Sequence, residues 1–457
     1  MKSIDSTITK VLFLIMATPT TLLLAIDNHH FYRASNFFFI FNEARLERTG
    51  LTSFDATIAY GSTHSARTDC ADLCGLKCKD NSCNKRKIVD LFQIYGAQNI
   101  QALSKGVPGK NLSNPADLAL TNLSLVNGDN CFGQLAYQGK FSLLEANFFY
   151  TQNICNGFFW QAHVPLRRMV IDDIRCCDLT DGAACEKANN PEWQTVLNFF
   201  CSILDKYCLK LEEIKQTGFG DASFLAGWTH SYQNTEILDF VDTTVRVGIL
   251  LPTGKKRDPD SIFDIPLGYN GHFGVPIAFD FALGALDWTT FGFHLGALLF
   301  ADATRTVRVK TDLSQTGLIK LAKAKAKIEK GLIWDISAYF KADHFAKGLS
   351  LLFGYTFARK RGDTIKDFDC RYNDETCKDA CFVNPCCVDP CIASTDCAWR
   401  GWHMHTLHFI VEYDFAKEGC FLGPRISFFY NKQFGGNRVF KTDMVGSNLG
   451  LDITWGF

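Results

Sequence analysis

The feature that most constrains this chain is a strict two-residue alternation held over segments too long for ordinary strands. In VDTTVRVGILLPTG, Val241, Thr243, Val245, Val247, Ile249 and Leu251 share one face, and Asp242, Thr244, Arg246 and Gly248 share the other. TSFDATIAY, VPIAFDFALGAL, TFGFHLGALL, LIWDISAYFK and LSLLFGYTF repeat the pattern. A period of two is that of a β-strand with unlike faces. A soluble sandwich also alternates, but its strands are typically about five or six residues long. Here the polar face carries Gly, Ser, Thr and isolated charges, not the dense Lys and Glu of a solvated sheet. A strand that crosses a bilayer needs about 9–11 residues, apolar toward lipid and polar toward a lumen.

Twelve such segments can be placed, at 51–64, 133–152, 156–172, 220–233, 237–253, 274–287, 289–305, 329–343, 347–362, 401–415, 422–432 and 447–457. The connections between them run long, short, long, short throughout, as in outer-membrane barrels with short periplasmic turns and long outer loops. The expectation is an all-β fold: a transmembrane antiparallel up-and-down β-barrel of about twelve strands, with fourteen as the alternative. Its extracellular loops would be helical and disulfide-rich. Such a barrel satisfies its backbone internally, as lipid demands. With 47 basic and 48 acidic residues the net charge is −1, so there is no nucleic-acid footprint. Beyond residue 25 no apolar run reaches the length of a helical span, about 18 residues.

Lys2 and Lys10 precede VLFLIMATPTTLLLA, Val11–Ala25, which reads as a signal peptide over 1–25. Residues 26–50, with Phe31, Phe37, Phe38, Phe39 and Phe41, would be a periplasmic tail or a plug. Residues 51–457 would form the barrel, with cysteine-rich loops at 65–132, 173–219 and 363–400. At the other end, LGLDITWGF puts Leu449, Leu451, Ile453, Trp455 and Phe457 on one face. It closely resembles the C-terminal signature of bacterial outer-membrane barrels. The resemblance implies recognition by the barrel-assembly machinery and a bacterial outer-membrane location, among lipid and lipopolysaccharide.

The alternation predicts a lumen lined by Asp55, Asp242, Arg246, Asp280, His294, Asp335, Lys341, Arg425 and Asp452. Charges of both signs suit a water-filled or plugged conduit and would also suit mutual neutralisation. Gly218, Gly220 and Asp221 at one strand start, and Leu251, Pro252, Thr253 and Gly254 at a strand end, resemble FadL-like outer-membrane transporters, in the branch associated with meta-pathway phenol degradation. That family implies passage of small hydrophobic molecules through a barrel obstructed by an N-terminal plug. An Asn-Pro-Ala triplet frequent in the family occurs here at Asn114–Ala116, inside the first long loop instead of ahead of the first strand. The expected function is a channel or transporter for small, hydrophobic solutes. The alternatives are a general porin and a disulfide-cross-linked structural protein of the envelope.

The 19 cysteines argue for an oxidising compartment. Cys70, Cys74, Cys78, Cys83 and Cys131 fall in or at the edge of the first long loop. Cys176, Cys177, Cys185, Cys201 and Cys208 fall in the second, and Cys370, Cys377, Cys381, Cys386, Cys387, Cys391 and Cys397 in the fifth. Cys155 and Cys420 are expected in short turns. The spacing of CADLCGLKC would also hold zinc, but adjacent pairs and export favour disulfides, so no metal is assigned. The odd count in each loop predicts bridges between loops or between molecules, and so a possible disulfide-linked homo-oligomer. After Asn190-Pro191, the spacing of Trp193, Val196, Leu197, Phe200, Ile203, Leu204 and Tyr207 predicts a helix over the outer mouth. The stretch 312–327 reads as a basic helix. In WHMHTLH, His403 and His405 are expected to point outward near the upper membrane boundary. With no Ser–His–Asp or Ser–His–Asn set and no phosphate loop, neither an enzyme nor a cofactor is expected.

Overall fold

The computed structural model describes residues 50–69, 86–103, 113–125, 133–179, 191–233, 238–286, 288–368, 390–396, 399–415 and 421–454. Twelve long strands make the wall: β1 (Leu51–Thr63), β2 (Gln134–Cys155), β3 (Phe158–Asp178), β4 (Ala222–Gln233), β5 (Phe240–Leu251), β6 (Gly274–Ala285), β7 (Thr289–Phe300), β8 (Ile333–Ala346), β9 (Leu349–Lys360), β10 (Trp402–Asp414), β11 (Leu422–Asn437) and β12 (Asp443–Thr454). Each pairs antiparallel with its sequence neighbours, and β1 pairs with β12, so the sheet closes on itself. Two short strands, Gln98–Asn99 and Ile214–Phe219, add to β2 and β3 outside the ring. Among the described residues no helix is long and apolar enough to cross a membrane.

The alternation appears directly as burial. On β1, Phe54, Ile58 and Tyr60 are exposed on the outer face, while Thr57 and Ala59 are buried inside. Val245, Val247 and Ile249 of β5, and Phe291, Phe293 and Leu295 of β7, continue the apolar outer band. Exposed Tyr232, Trp288, Tyr413, Phe415 and Phe421 mark the rim at the short turns, as an interfacial girdle would.

Strand ends differ from expectation where local turn chemistry decides. The turn between β2 and β3 is Asn156-Gly157, not 153–155. Both residues have positive φ, 51° and 79°, the geometry of a two-residue primed turn. Cys155 is therefore the last residue of β2, not a turn residue. On the outer side β2 and β3 extend well past the membrane band, which puts Cys176 and Cys177 in β3, opposite Tyr137 and Ala136, and not in a loop. β11 runs on to Asn437, and β12 begins at Asp443.

A folded cap lies over the long-connection end. Helix α1 (Pro115–Leu125) starts at Asn114, whose Oδ1 accepts the Ala116 N–H at 2.9 Å, so the Asn-Pro-Ala triplet is a helix cap. Helix α2 (Pro191–Lys206) buries Trp193, Val196, Phe200, Ile203 and Leu204, as the spacing predicts. The basic stretch 312–327 is not a helix. Ala322–Glu329 is a strand between Ala303–Val309 and Thr364–Phe368, in a separate three-stranded sheet. AKAKAKIE alternates: Ala322, Ala324, Ala326 and Ile328 are buried in that sheet's own core, while Lys325 and Lys327 lie on the other face. Period two prevails over the helix propensity of Ala and Lys.

Candidate functional site: the lumen wall

Side chains directed into the barrel form three kinds of surface. The first is a ladder across four adjacent strands. Arg246 of β5 donates to Asp280 of β6. His294 of β7 sets Nδ1 2.7 Å from the other Asp280 oxygen and Nε2 3.2 Å from Asp335 Oδ2 of β8. All four are buried. Gly296 makes the room: a Cβ there would stand 2.7 Å from Asp335 Oδ1 and 2.9 Å from His294 Nε2. The second is a seam at β11, β12 and β1. Arg425 Nη2 lies 2.7 Å from both Asp55 oxygens and 3.5 Å from Asp452 Oδ1. Ser53 and Asn448 donate to Asp452 and Asp55 at 2.6 and 3.1 Å. Lys341 lies 3.1 Å from Asp343 and 3.8 Å from Glu412. Asp242 is buried on the inner face of β5. Buried charges of this kind are tolerable because they are paired.

The third surface lies outside the sequence-based set. Leu352 of β9, Ile410 of β10 and Phe429 of β11 are register partners in a row across three strands. All face inward and are buried. The row ends on Gly446 of β12, where a Cβ would come within 2.4 Å of the Phe429 ring. Beside it, Tyr339 of β8 lies over Gly292 of β7. Rings laid over strand glycines restore packing that glycine alone forfeits. Tyr339, Leu352, Ile410 and Phe429 belong to one continuous buried apolar cluster. It passes through Met444, Ala59, Phe141 and Leu143 into the cap at Leu91, Phe92, α1 and α2. The signal for this row was a break in alternation: on these strands apolar residues stand at both parities, Tyr339 beside Phe340 and Leu352 beside Leu351.

The two glycine motifs meet in space. Asp221 accepts the Gly254 N–H at 2.8 Å and the Tyr269 N–H at 2.5 Å. Thr253 Oγ1 donates to the Gly220 carbonyl at 2.8 Å and accepts from Ala222 N at 2.9 Å. Arg167 of β3, paired with Glu145 of β2, donates to the Leu267 carbonyl at 2.9 Å. The motif residues thus latch the loop 254–273 onto the barrel mouth.

One inward set has the geometry of a base and its orienter. His408 Nε2 lies 2.8 Å from Thr356 Oγ1, and its Nδ1 lies 2.8 Å from Asn431 Oδ1. Thr356 is also 2.8 Å from Ser337 and is 2 % exposed. The backbone donors of these four strands serve the strand ladder. This is a polar ladder across β8–β11.

On the outer face His403 and His405 sit near the long-connection end of β10, and Tyr355 Oη lies 2.7 Å from His405 Nδ1. Leu449, Leu451 and Ile453 lie on β12. Trp455 and Phe457 lie outside the described residues, as do the segment 1–49 and the cysteines at 70, 74, 78, 83, 131, 185, 370, 377, 381, 386, 387, 397 and 420. Cys201 and Cys208 lie in and just beyond α2, both exposed. Cys391 lies in the short helix Pro390–Ser394. Among the described residues no group of three or more His, Cys, Asp or Glu side chains is placed to hold a metal.

No family model matches the chain, and no curated protein matches it. Among solved structures, an outer membrane channel from Pseudomonas putida F1 aligns over 91% of this chain and 100% of its own, with 9% identity and a TM-score of 0.43. A Pseudomonas aeruginosa FadL homologue aligns over 89% and 90%, with 8% identity and a TM-score of 0.30. The CymD monoaromatic hydrocarbon channel aligns over 92% and 94%, with 7% identity and a TM-score of 0.31. The closed ring, the lipid-facing band and the long outer connections of this chain are those of an outer-membrane β-barrel.

Proposed function

We propose that the protein carries small apolar solutes across the outer membrane. The observation that carries this reading is the apolar row Leu352–Ile410–Phe429, continuous with the apolar interior of the cap. A hydrophobic solute needs that surface, because it partitions from water onto apolar area. The self-paired charges on the facing strands hold the wall and leave the row as the route.

The test is uptake of a small fluorescent aromatic probe into proteoliposomes holding the full chain, with single-channel current recorded in parallel. Probe uptake with little current is the expected result, and Ile410→Asp should cut uptake about tenfold or more by putting an unpaired charge in the row. Large ohmic conductance with uptake indifferent to that change would instead make the protein a general porin. Signal-peptide export, loop disulfides and assembly-machinery recognition belong to this proposal, supported by the cysteine content and the two terminal patterns.

A further inference from the structure

The cap is built from two apolar layers that meet at a seam. One is the cluster that runs up from the wall row and includes Leu209, Ile262 and Leu318. The other is the core of the three-stranded sheet, with Ile328 and Trp399. Residues of both layers line a single cavity of about 40 Å³ between them. That is room for about three water molecules. A lipid headgroup or a nucleotide is too large for it, and an ion of a few heavy atoms fits.

Positive charge is in excess around this space. Arg257, Arg308 and Lys320 belong to the lining, against one acid, Asp396. Lys320 lies 3.4 Å from Asp396, and both are buried. Arg308 is bonded to Asp260, which also takes Lys323, so one carboxylate is shared between two cations. Asp264, the buried acid of the 254–273 loop, lies outside the lining, and its oxygens accept from the Gln216 amide and from the Asp258 and Ile265 N–H groups. Lys310 is buried within the field of Lys320 and Asp396, and its ammonium makes no ion pair among the described residues. Burial holds its pKa below the ordinary lysine value, with Asp396 raising it and Lys320 lowering it further. Two N–H donors on lining residues also lack an acceptor. Arg257 Nε and Trp399 Nε1 are both buried and unbonded among the described residues. A buried N–H without an acceptor is costly and rare in folded proteins.

We propose that the seam cavity is a binding site for a small free oxyanion of phosphate's size, which clamps the three-stranded sheet onto the rest of the cap. Surplus cations and idle N–H donors around one small space call for the same partner, an anion with several acceptor oxygens. Arg257 and the Trp399 indole donate to it, and Lys320 and Arg308 supply the field. Hydrogen bonds to an ionised acceptor are the stronger kind, and the guanidinium of Arg257 matches an oxyanion in shape as well as charge.

Equilibrium dialysis of the full chain in detergent against radiolabelled inorganic phosphate, at an ionic strength fixed with chloride, tests this. Saturable binding at a single site per chain is expected. R257Q should weaken it by about tenfold or more, and W399F, which keeps a ring but loses the N–H, by about fivefold. K327Q, on the opposite face of the same sheet, should leave it unchanged. Heat-modifiable gel mobility checks that each variant is folded. Hydrogen exchange locates the bound ion. With phosphate at about ten times its dissociation constant, exchange in 303–329 should slow about tenfold relative to chloride alone. The barrel strands should not change. Absence of saturable binding would overturn the proposal. So would R257Q and W399F that both bind like the parent, or protection that falls outside the cap.

Discussion

The barrel wall and the cap above it meet the same chain with different rules. In the wall, strand pairing consumes the backbone, and a residue's fate is set by parity: one step along β5 takes Val245 from lipid to Arg246 in the lumen. In the cap, parity means little, and side chains do the holding. Its interior is two apolar clusters, one drawn from α1, α2, Leu91–Tyr95, the 254–273 loop and residues 318–321 and continuous with the wall row, the other inside the three-stranded sheet. The wall and cap also use charge differently. The wall stacks Arg246, Asp280, His294 and Asp335 across consecutive strands, where each group has a neighbour fixed by register. The cap joins elements far apart in sequence, such as Asp117 with Lys206 and Asp260 with Arg308. The wall is therefore cooperative along its circumference, and the cap is cooperative in depth.

The sharpest way to separate the two is to break the wall ladder. Arg246→Ala leaves Asp280 facing only His294 in a buried site. Removing one partner of a buried pair costs about 3–5 kcal/mol. Urea unfolding followed by heat-modifiable mobility should show that loss, while protease resistance of the cap in the folded fraction stays as in the parent. If the cap loosens as much as the wall, the two regions are one cooperative unit and the comparison fails.

The same contrast explains what was legible in the sequence. Twelve strands, their facing and the inward position of Asp280 or Asp335 could all be read, because each depends on period two alone. The pairing of Arg246 with Asp280 could not, since register between strands is a matter of three dimensions and glycines such as Gly296 decide which side chains reach. The row Leu352–Ile410–Phe429 is hidden in the sequence because these strands carry apolar residues at both parities, and alternation alone picks out only the outer face. In the cap, the basic stretch 312–327 reads as a helix, although from Ala322 its alanines alternate with lysines in the strand period. Asn114–Ala116 resembles a displaced motif, yet Asn followed by Pro is also a plain helix-start signal, and the cap is what forms.

A smaller effect is expected in the cap. Asp117 of α1 is fully buried and accepts from Lys206 and from the Tyr207 hydroxyl at 3.1 Å. Asp117→Ala leaves both donors without that acceptor, at a cost of about 1–3 kcal/mol. Hydrogen exchange in α1 and α2 should quicken, with the barrel strands unchanged. A drop in barrel stability of similar size would show that the cap clamps the wall.

The smallest effect lies in pH. Asp260 ties the 254–273 loop to the three-stranded cap sheet, 2.6 Å from Arg308 and 2.8 Å from Lys323. Burial alone would raise its pKa, but the bonds to Lys323 and Arg308 outweigh that and hold it below the ordinary carboxylate value. The sign follows. The unfolded group takes up a proton more readily than the folded one, so this contact stabilises fully above the unfolded pKa, about 4. Its contribution fades as pH falls through the lower folded pKa. Exchange in 303–329, corrected for the intrinsic effect of pH, should therefore rise below about pH 4 in the parent. In Asp260→Asn it should be higher at neutral pH and less dependent on pH, since the amide cannot titrate. The barrel strands should show no such difference between parent and variant. An equal acid response in parent and variant would mean that other carboxylates govern the cap and that the loop is held by its apolar contacts alone.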